Sequence, residues 1–184
     1  KEWQAEGDRW PEIVHNMQNR IGISSGQMVT GNMGSEARMN YTMMGDNVNT
    51  AARLESSAKQ YGIYIQIADS TYQAVKDQMV VRDLDFVKVV GKNEPVKVWE
   101  LISETGKEPD KYKKILPAYN EALELYKNQN WDKAIEAFKA SDALEDMFPG
   151  RKTNPSRIYI PRCEHFQANP PGDDWDGVWT LTSK

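Results

Sequence analysis

Tyr41-Thr42-Met43-Met44-Gly45-Asp46-Asn47-Val48-Asn49-Thr50-Ala51-Ala52-Arg53 holds the decision about this chain. Gly45 is one of the recurring glycines that predict strands and tight turns before it. Asp46 then reads as the N-cap of a helix running to about Lys59, with Val48, Ala51, Ala52 and Ala58 as a small apolar face and Gly62 as its stop. Asn49 and Arg53 are four residues apart, so an amide and a guanidinium leave one face near the positive end of the helix. An anion is the natural guest there, because a guanidinium offers fixed donors that match phosphate oxygens. The same spacing also fits a plainer arrangement, in which Asn49 satisfies the first turn and Arg53 pairs with a surface carboxylate.

Outward from this stretch, Trp10, Ile13, Val14 and Met17 predict an amphipathic helix ending near Arg20, with Pro11 in its first turn. Between Arg20 and Asn49, Ile21 and Ile23 alternate with Gly22 and Ser24, and Gly26, Gly31, Gly34 and Gly45 recur, which predicts strands and tight turns. On the far side, Ile63, Ile65 and Ile67 alternate as a half-buried strand does, a short helix covers Ser70 to Lys76, and strands Val80 to Val90 and Val96 to Ile102 flank the turn Gly91-Lys92-Asn93-Glu94. This order gives an α/β (α+β) fold with an antiparallel component, closing at about Ile102.

Residues 103–110 read as a linker, followed by helices Tyr112 to Lys127 and Trp131 to Leu144. Trp131, Ala134 and Phe138 match the second half of a tetratricopeptide repeat, and Ala122 and Leu125 loosely match the first. One repeat cannot bury its own face, so this unit must pack on something, and a third helix from Pro155 to Ala168 is the expected cap. Trp175, Val178, Trp179 and Leu181 predict that the tail docks back on the fold. The expected division is therefore a first domain over 1–102 and a small all-α extension over 103–184.

With 184 residues and 39% apolar content the chain can build a real core. Its 23 basic and 27 acidic residues, net −4, leave no positive footprint for nucleic acid. A single cysteine, Cys163, excludes an internal disulfide and points to a reducing, cytoplasmic compartment, although an anchor elsewhere in a longer protein stays open. With only His15 and His165, a Cys/His metal site has too few ligands. Met28, Met33, Met39, Met43 and Met44 read as packing rather than a soft-metal site, and Cys163 as a structural thiol rather than one activated by His165. Trp3 and Trp10 are expected to pack.

Four stretches together carry a family resemblance: Arg20-Ile21-Gly22-Ile23-Ser24-Ser25-Gly26, Gly31-Asn32-Met33-Gly34-Ser35, Tyr41 through Arg53 with Leu54-Glu55, and Gly91-Lys92-Asn93-Glu94-Pro95-Val96. In order and spacing, from about Arg20 to Ile102, they resemble the C-terminal half of a class III nucleotidyl cyclase catalytic domain, which implies part of a ferredoxin-like fold. By that resemblance Asn49 holds the ribose and Arg53 stabilises the pentacoordinate phosphorus. Thr42 falls where the family reads the purine and points to ATP over GTP, so the implied activity is adenylate cyclase, with guanylate cyclase as the alternative.

Two departures matter. The family's pyrophosphate lysine is replaced by Val90, leaving Lys88 or Lys92 to reach the phosphates, unless each is simply solvated. The family's metal-binding aspartates and adenine-selecting lysine lie upstream of the matched region. The resemblance therefore implies Mg²⁺ or Mn²⁺ held by residues this chain lacks, no metal ligand here, and an inactive chain by itself. Asp46 has chemistry for a cation but reads as a cap. The resemblance also implies a head-to-tail homodimer. A non-catalytic regulatory or protein-binding module that keeps the fold is the other reading, favoured by Val90, and the helical extension could dock a protein partner.

Overall fold

The protein is described by a computed structural model covering residues 5–15, 17–88, 95–145 and 151–180. In chain order its elements are α1 (Glu12–His15), β1 (Ile21–Ile23), β2 (Val29–Ser35), β3 (Arg38–Met44), α2 (Asp46–Tyr61), β4 (Ile65–Ala68), α3 (Asp69–Val75), β5 (Met79–Lys88), β6 (Val96–Glu104), α4 (Tyr112–Lys127), α5 (Trp131–Leu144), α6 (Pro155–Ala168) and β7 (Trp179–Thr180). The fold is mixed α+β. No helix among the described residues is long and apolar enough to cross a membrane.

Five strands form one sheet in the order β1-β4-β6-β5-β7. β1 runs parallel to β4, with Ile21 opposite Ile65, while β6 is antiparallel to both β4 and β5. Helix α2 lies against β1 and β4. Its buried stripe is Leu54, Ala58 and Tyr61, at spacings of four and three, and these meet Ile63, Leu84 and Val98 from the sheet side. Ala52, expected on this face, is exposed instead. A Cβ on Gly22 would stand 2.1 Å from the Ala51 carbonyl oxygen and 2.4 Å from the Glu55 nitrogen, so glycine lets β1 touch the backbone of α2. At the other end Gly62 takes a left-handed conformation (φ 64°), and its N–H caps the carbonyls of Ala58 and Lys59, as the sequence predicted.

The start of α2 corrects one expectation. Gly45 is the cap residue and no side chain caps the helix, because the chain leaves β3 through Gly45; Asp46 is the first helical residue, where its charge still complements the helix dipole. The predicted N-terminal helix is also shorter than expected. Only a 3₁₀ turn (Gly7–Arg9) and α1 form, and Ile13 and Met17 stay 76% and 58% exposed. A helix with no surface to bury its face against is marginal in water. Trp10 is likewise at the surface, and Trp3 lies outside the described residues.

β2 and β3 make a separate antiparallel hairpin in which Gly31 faces Thr42. Met28 just before it, and Met39, Met43 and Met44 on it, are exposed, so they are not core packing; Met33 alone of the five is partly covered. The expectation failed because a two-stranded ribbon has no second layer to face.

The three C-terminal helices form over their expected spans, with α5 packed on α4 and α6 on α5. Tyr119, Ala122, Leu123, Tyr126, Ala134, Phe138, Tyr159, Cys163 and Phe166 form its core. The tail docks on it: Trp175 lies 5.2 Å from Tyr126 and 5.5 Å from Trp131, and Trp179 lies 5.4 Å from Phe166, ring centre to ring centre. The unit also joins the sheet. The Tyr159 hydroxyl donates to the Leu84 carbonyl at 2.8 Å, and Arg162 reaches Asp85 at 2.7 Å.

Candidate active site

Three of the expected residues gather around the passage from β3 into α2. Thr42 lies on β3, three residues before Gly45, and is exposed. Asn49 occupies the first turn of α2, its N–H on the Gly45 carbonyl at 3.3 Å, and Arg53 follows one turn later on the same face. Both side chains are exposed, and among the described residues neither has a hydrogen-bond or ionic partner. The plainer arrangement, a satisfied first turn and a surface ion pair for Arg53, is therefore not what forms. The neighbouring carboxylate of Glu55 faces Arg20 instead, at 3.5 Å. What α2 presents is an amide and a permanently charged guanidinium with all their donors open, a donor set suited to phosphate oxygens.

A residue that sequence reasoning missed fixes this corner. Asn47 accepts from the Ser24 hydroxyl at 3.1 Å and donates to the Gln27 carbonyl at 3.1 Å, tying the β1–β2 loop to the first turn of α2. Gly26 lies so close that a Cβ there would stand 2.1 Å from the Asn47 amide nitrogen. An asparagine two positions before Asn49 gives no sign of this in the sequence, since its partners lie 20 and 23 residues away.

Lys88 ends β5, and its side chain lies outside what is described, as do Val90 and Lys92. Asn49 and Arg53 thus share one face of α2, Thr42 lies on the strand that leads into that helix, and the side chains of the two lysines lie outside the described residues. No group of three Asp, Glu, His or Cys side chains converges to hold a metal ion among the described residues. The described side chains do not form a site that fits Mg²⁺ or Mn²⁺. Cys163 is buried, and burial pushes its thiol up to about 12, so it stays protonated and inert as expected.

The profile of the family described as "Adenylate and Guanylate cyclase catalytic domain" matches residues 5–103. The chain is 36% identical over 154 residues, 80% of its length, to "Adenylate cyclase, terminal-differentiation specific" from Dictyostelium discoideum. It is 35% identical over 83 residues to "Adenylate cyclase 1" from Rhizobium meliloti, and 42% identical over 85 residues to "Soluble guanylate cyclase 89Db" from Drosophila melanogaster, 45% of the chain in each case. It spans only 7%, 12% and 12% of the lengths of these three relatives. Among solved structures, the adenylyl cyclase CyaB from P. aeruginosa aligns at 31% identity and a TM-score of 0.44, over 59% of this chain and 52% of that one. The chain belongs to the class III adenylate and guanylate cyclase catalytic-domain family.

Proposed function

We propose that this chain carries the transition-state half of an adenylate cyclase site, which converts ATP to 3′,5′-cyclic AMP and pyrophosphate. In this reaction the ribose 3′-oxygen attacks the α-phosphorus and the bond to the pyrophosphate oxygen breaks. Arg53 donates to the oxygens on which charge builds at phosphorus, Asn49 holds the ribose, and Thr42 meets the purine. The observation that carries the reading is that Asn49 and Arg53 stand on one exposed face at the positive end of α2, with no side-chain partner among the described residues. With no other partner among the described residues, the Arg53 guanidinium has its donors available to meet that charge.

Magnesium or manganese neutralises phosphate charge when bound, and this reading assigns its ligands, with the adenine-selecting lysine, to a region upstream of this chain. Lys88 or Lys92 would meet the pyrophosphate. The exposed apolar side chains of Val29, Tyr41, Met43 and Met44 on the hairpin supply a surface that such a region, or a second copy in a head-to-tail homodimer, would cover. The reading places the site in the cytoplasm, with its substrate. The apolar faces of α4 and α5 are largely covered by α6, the tail and the sheet, so we read the extension as support for the cyclase half rather than as a docking module.

The test compares cyclic AMP formation from Mn²⁺·ATP by the 184-residue chain and by a chain extended upstream by about 100 residues, the size of a small domain. Turnover by the longer chain alone supports a divided site. Faster turnover of GTP than of ATP would move the assignment to the guanylate class. A folded, dimeric longer chain with no turnover on either nucleotide would favour the second reading, a non-catalytic module of the same fold, to which Val90 at the family's pyrophosphate-lysine position points.

A further inference from the structure

At the opposite end of α2 from Asn49, the structure holds a cavity of about 240 Å³ between the two parts of the fold. Arg20 before β1, Lys59 in the last turn of α2, and Arg151 and Lys152 before α6 line it, together with Gln18 and Tyr64. Four of its eight lining residues are cationic and none is acidic, in a chain whose net charge is −4.

The cations are incompletely matched. Lys59 and Lys152 have no ionic or hydrogen-bond partner among the described residues. Arg20 meets Glu55 at a loose 3.5 Å. The Arg151 side chain is only 4% exposed; its Nε donates to the Thr153 carbonyl at 3.1 Å and its Nη1 lies 3.5 Å from Glu145. Glu145 is shared with Arg82, and the second terminal nitrogen of Arg151 is buried with no partner among the described residues. A buried, partly unpaired guanidinium costs free energy unless an anion completes its shell.

Complementing the negative end of the α2 dipole does not account for the cluster. The carbonyls of Ala58 and Lys59 are already taken by the N–H groups of Gly62 and Ile63, and none of the four cations donates to them among the described residues. The cavity lies below the ~300 Å³ at which pockets for larger organic ligands begin, a size that suits a compact oxyanion. Its distance from the candidate active site is set by the helix: Lys59 lies ten residues, about 15 Å of helical rise, beyond Asn49.

We infer that this cavity binds a multiply charged phosphate oxyanion, either orthophosphate or pyrophosphate, held by Arg151, Lys152, Lys59 and Arg20 at the junction of the cyclase half and the helical extension. The inference stands apart from the cyclase reading, since it uses none of Thr42, Asn49 or Arg53.

The test is calorimetric titration of the 184-residue chain with sodium orthophosphate and sodium pyrophosphate, ionic strength held constant with sodium chloride. The expected result is a saturable site that is bound at least about tenfold more weakly after joint Lys59→Ala and Lys152→Ala substitution, the loss of about one charge-assisted contact, and that persists in Arg53→Ala. Both lysines are exposed, so this variant keeps the fold; Arg151→Gln, checked for folding by circular dichroism, is expected to remove binding. Tighter binding of pyrophosphate identifies the ligand as a diphosphate, and tighter binding of orthophosphate as the single ion. Arg53→Ala is expected to leave the titration unchanged. No saturable heat, equal affinity in the double lysine variant, or loss of binding in Arg53→Ala would each overturn the inference.

Discussion

Arg162 and Asp85 meet at 2.7 Å in the interior, and they come from different parts of the fold: Arg162 from α6 of the extension, Asp85 from β5 of the sheet. The Tyr61 hydroxyl, at the end of α2, donates to the same carboxylate oxygen at 2.6 Å, and the Phe86 N–H takes the other at 2.8 Å. One carboxylate thus joins extension, sheet and the helix that carries Asn49 and Arg53.

Removing one partner of a buried ion pair leaves the other charge uncompensated. Arg162→Met is therefore expected to cost about 3–5 kcal/mol, and Tyr61→Phe, which deletes one hydrogen bond to a charged group, about 1.5–3 kcal/mol. Urea unfolding followed by circular dichroism and tryptophan fluorescence reads both. The two signals should move together in a single transition. A variant that shifts one signal and leaves the other in place would mean that the helices from Tyr112 onward unfold as a separate unit.

Arg82 is fully buried and donates to Glu100 at 2.7 Å and to Glu145. Burial disfavours its charge, but Glu100 and then Glu145 outweigh that and hold its pKa above the ordinary value. Glu145→Gln is expected to destabilise the fold by about 3 kcal/mol or more, with an effect that sodium chloride up to 1 M barely changes, since buried pairs are poorly screened. A salt-sensitive loss would place the pair in water.

Burial raises the pKa of the Tyr61, Tyr119 and Tyr159 hydroxyls, and that of Tyr112 and of the Cys163 thiol to about 12. Unfolded, these groups lose their protons near pH 8.5 for the thiol and near 10 for tyrosine. Above those values the unfolded chain binds fewer protons than the folded one, so stability is complete below about pH 8.5 and falls as pH rises toward 12. Urea midpoints at pH 7.5, 9.5 and 10.5 should decrease in that order. A flat or rising series would contradict the burial of these side chains.

Gly22→Ala places a methyl group onto the α2 backbone between the Ala51 carbonyl and the Glu55 N–H, midway along the helix that presents Asn49 and Arg53. The expected loss is about 1–3 kcal/mol from overpacking, together with a fall in turnover of an active cyclase carrying this chain. Full stability in the variant would show that β1 and α2 are further apart than described.

How far the sequence reveals this arrangement depends on the range of the interactions. The helices at Tyr112, Trp131 and Pro155 are legible because large apolar residues recur at helical spacing and each signal is local. For the candidate site, spacing shows only that Asn49 and Arg53 leave one helix face, and the roles of Thr42, Asn49 and Arg53 come from the family resemblance. The ion pairs that join the two parts are not legible. Arg82 and Glu145 are 63 positions apart and Asp85 and Arg162 are 77 apart, and charged residues default to the surface until a fold brings them together. Ile13, Met17 and the hairpin methionines failed for the opposite reason, because apolar spacing predicts a buried face whether or not a partner surface is present.

The central claim is that Arg53 stabilises the charge developing at phosphorus. Its most direct test is the rate of cyclic AMP formation from Mn²⁺·ATP by an active, upstream-extended protein carrying either Arg53 or Arg53→Ala. A fall in kcat of about 10²–10³-fold is expected, the loss of one preorganised charge-stabilising donor, with KM changed far less. An Arg53→Ala protein that turns over at the original rate would contradict the account.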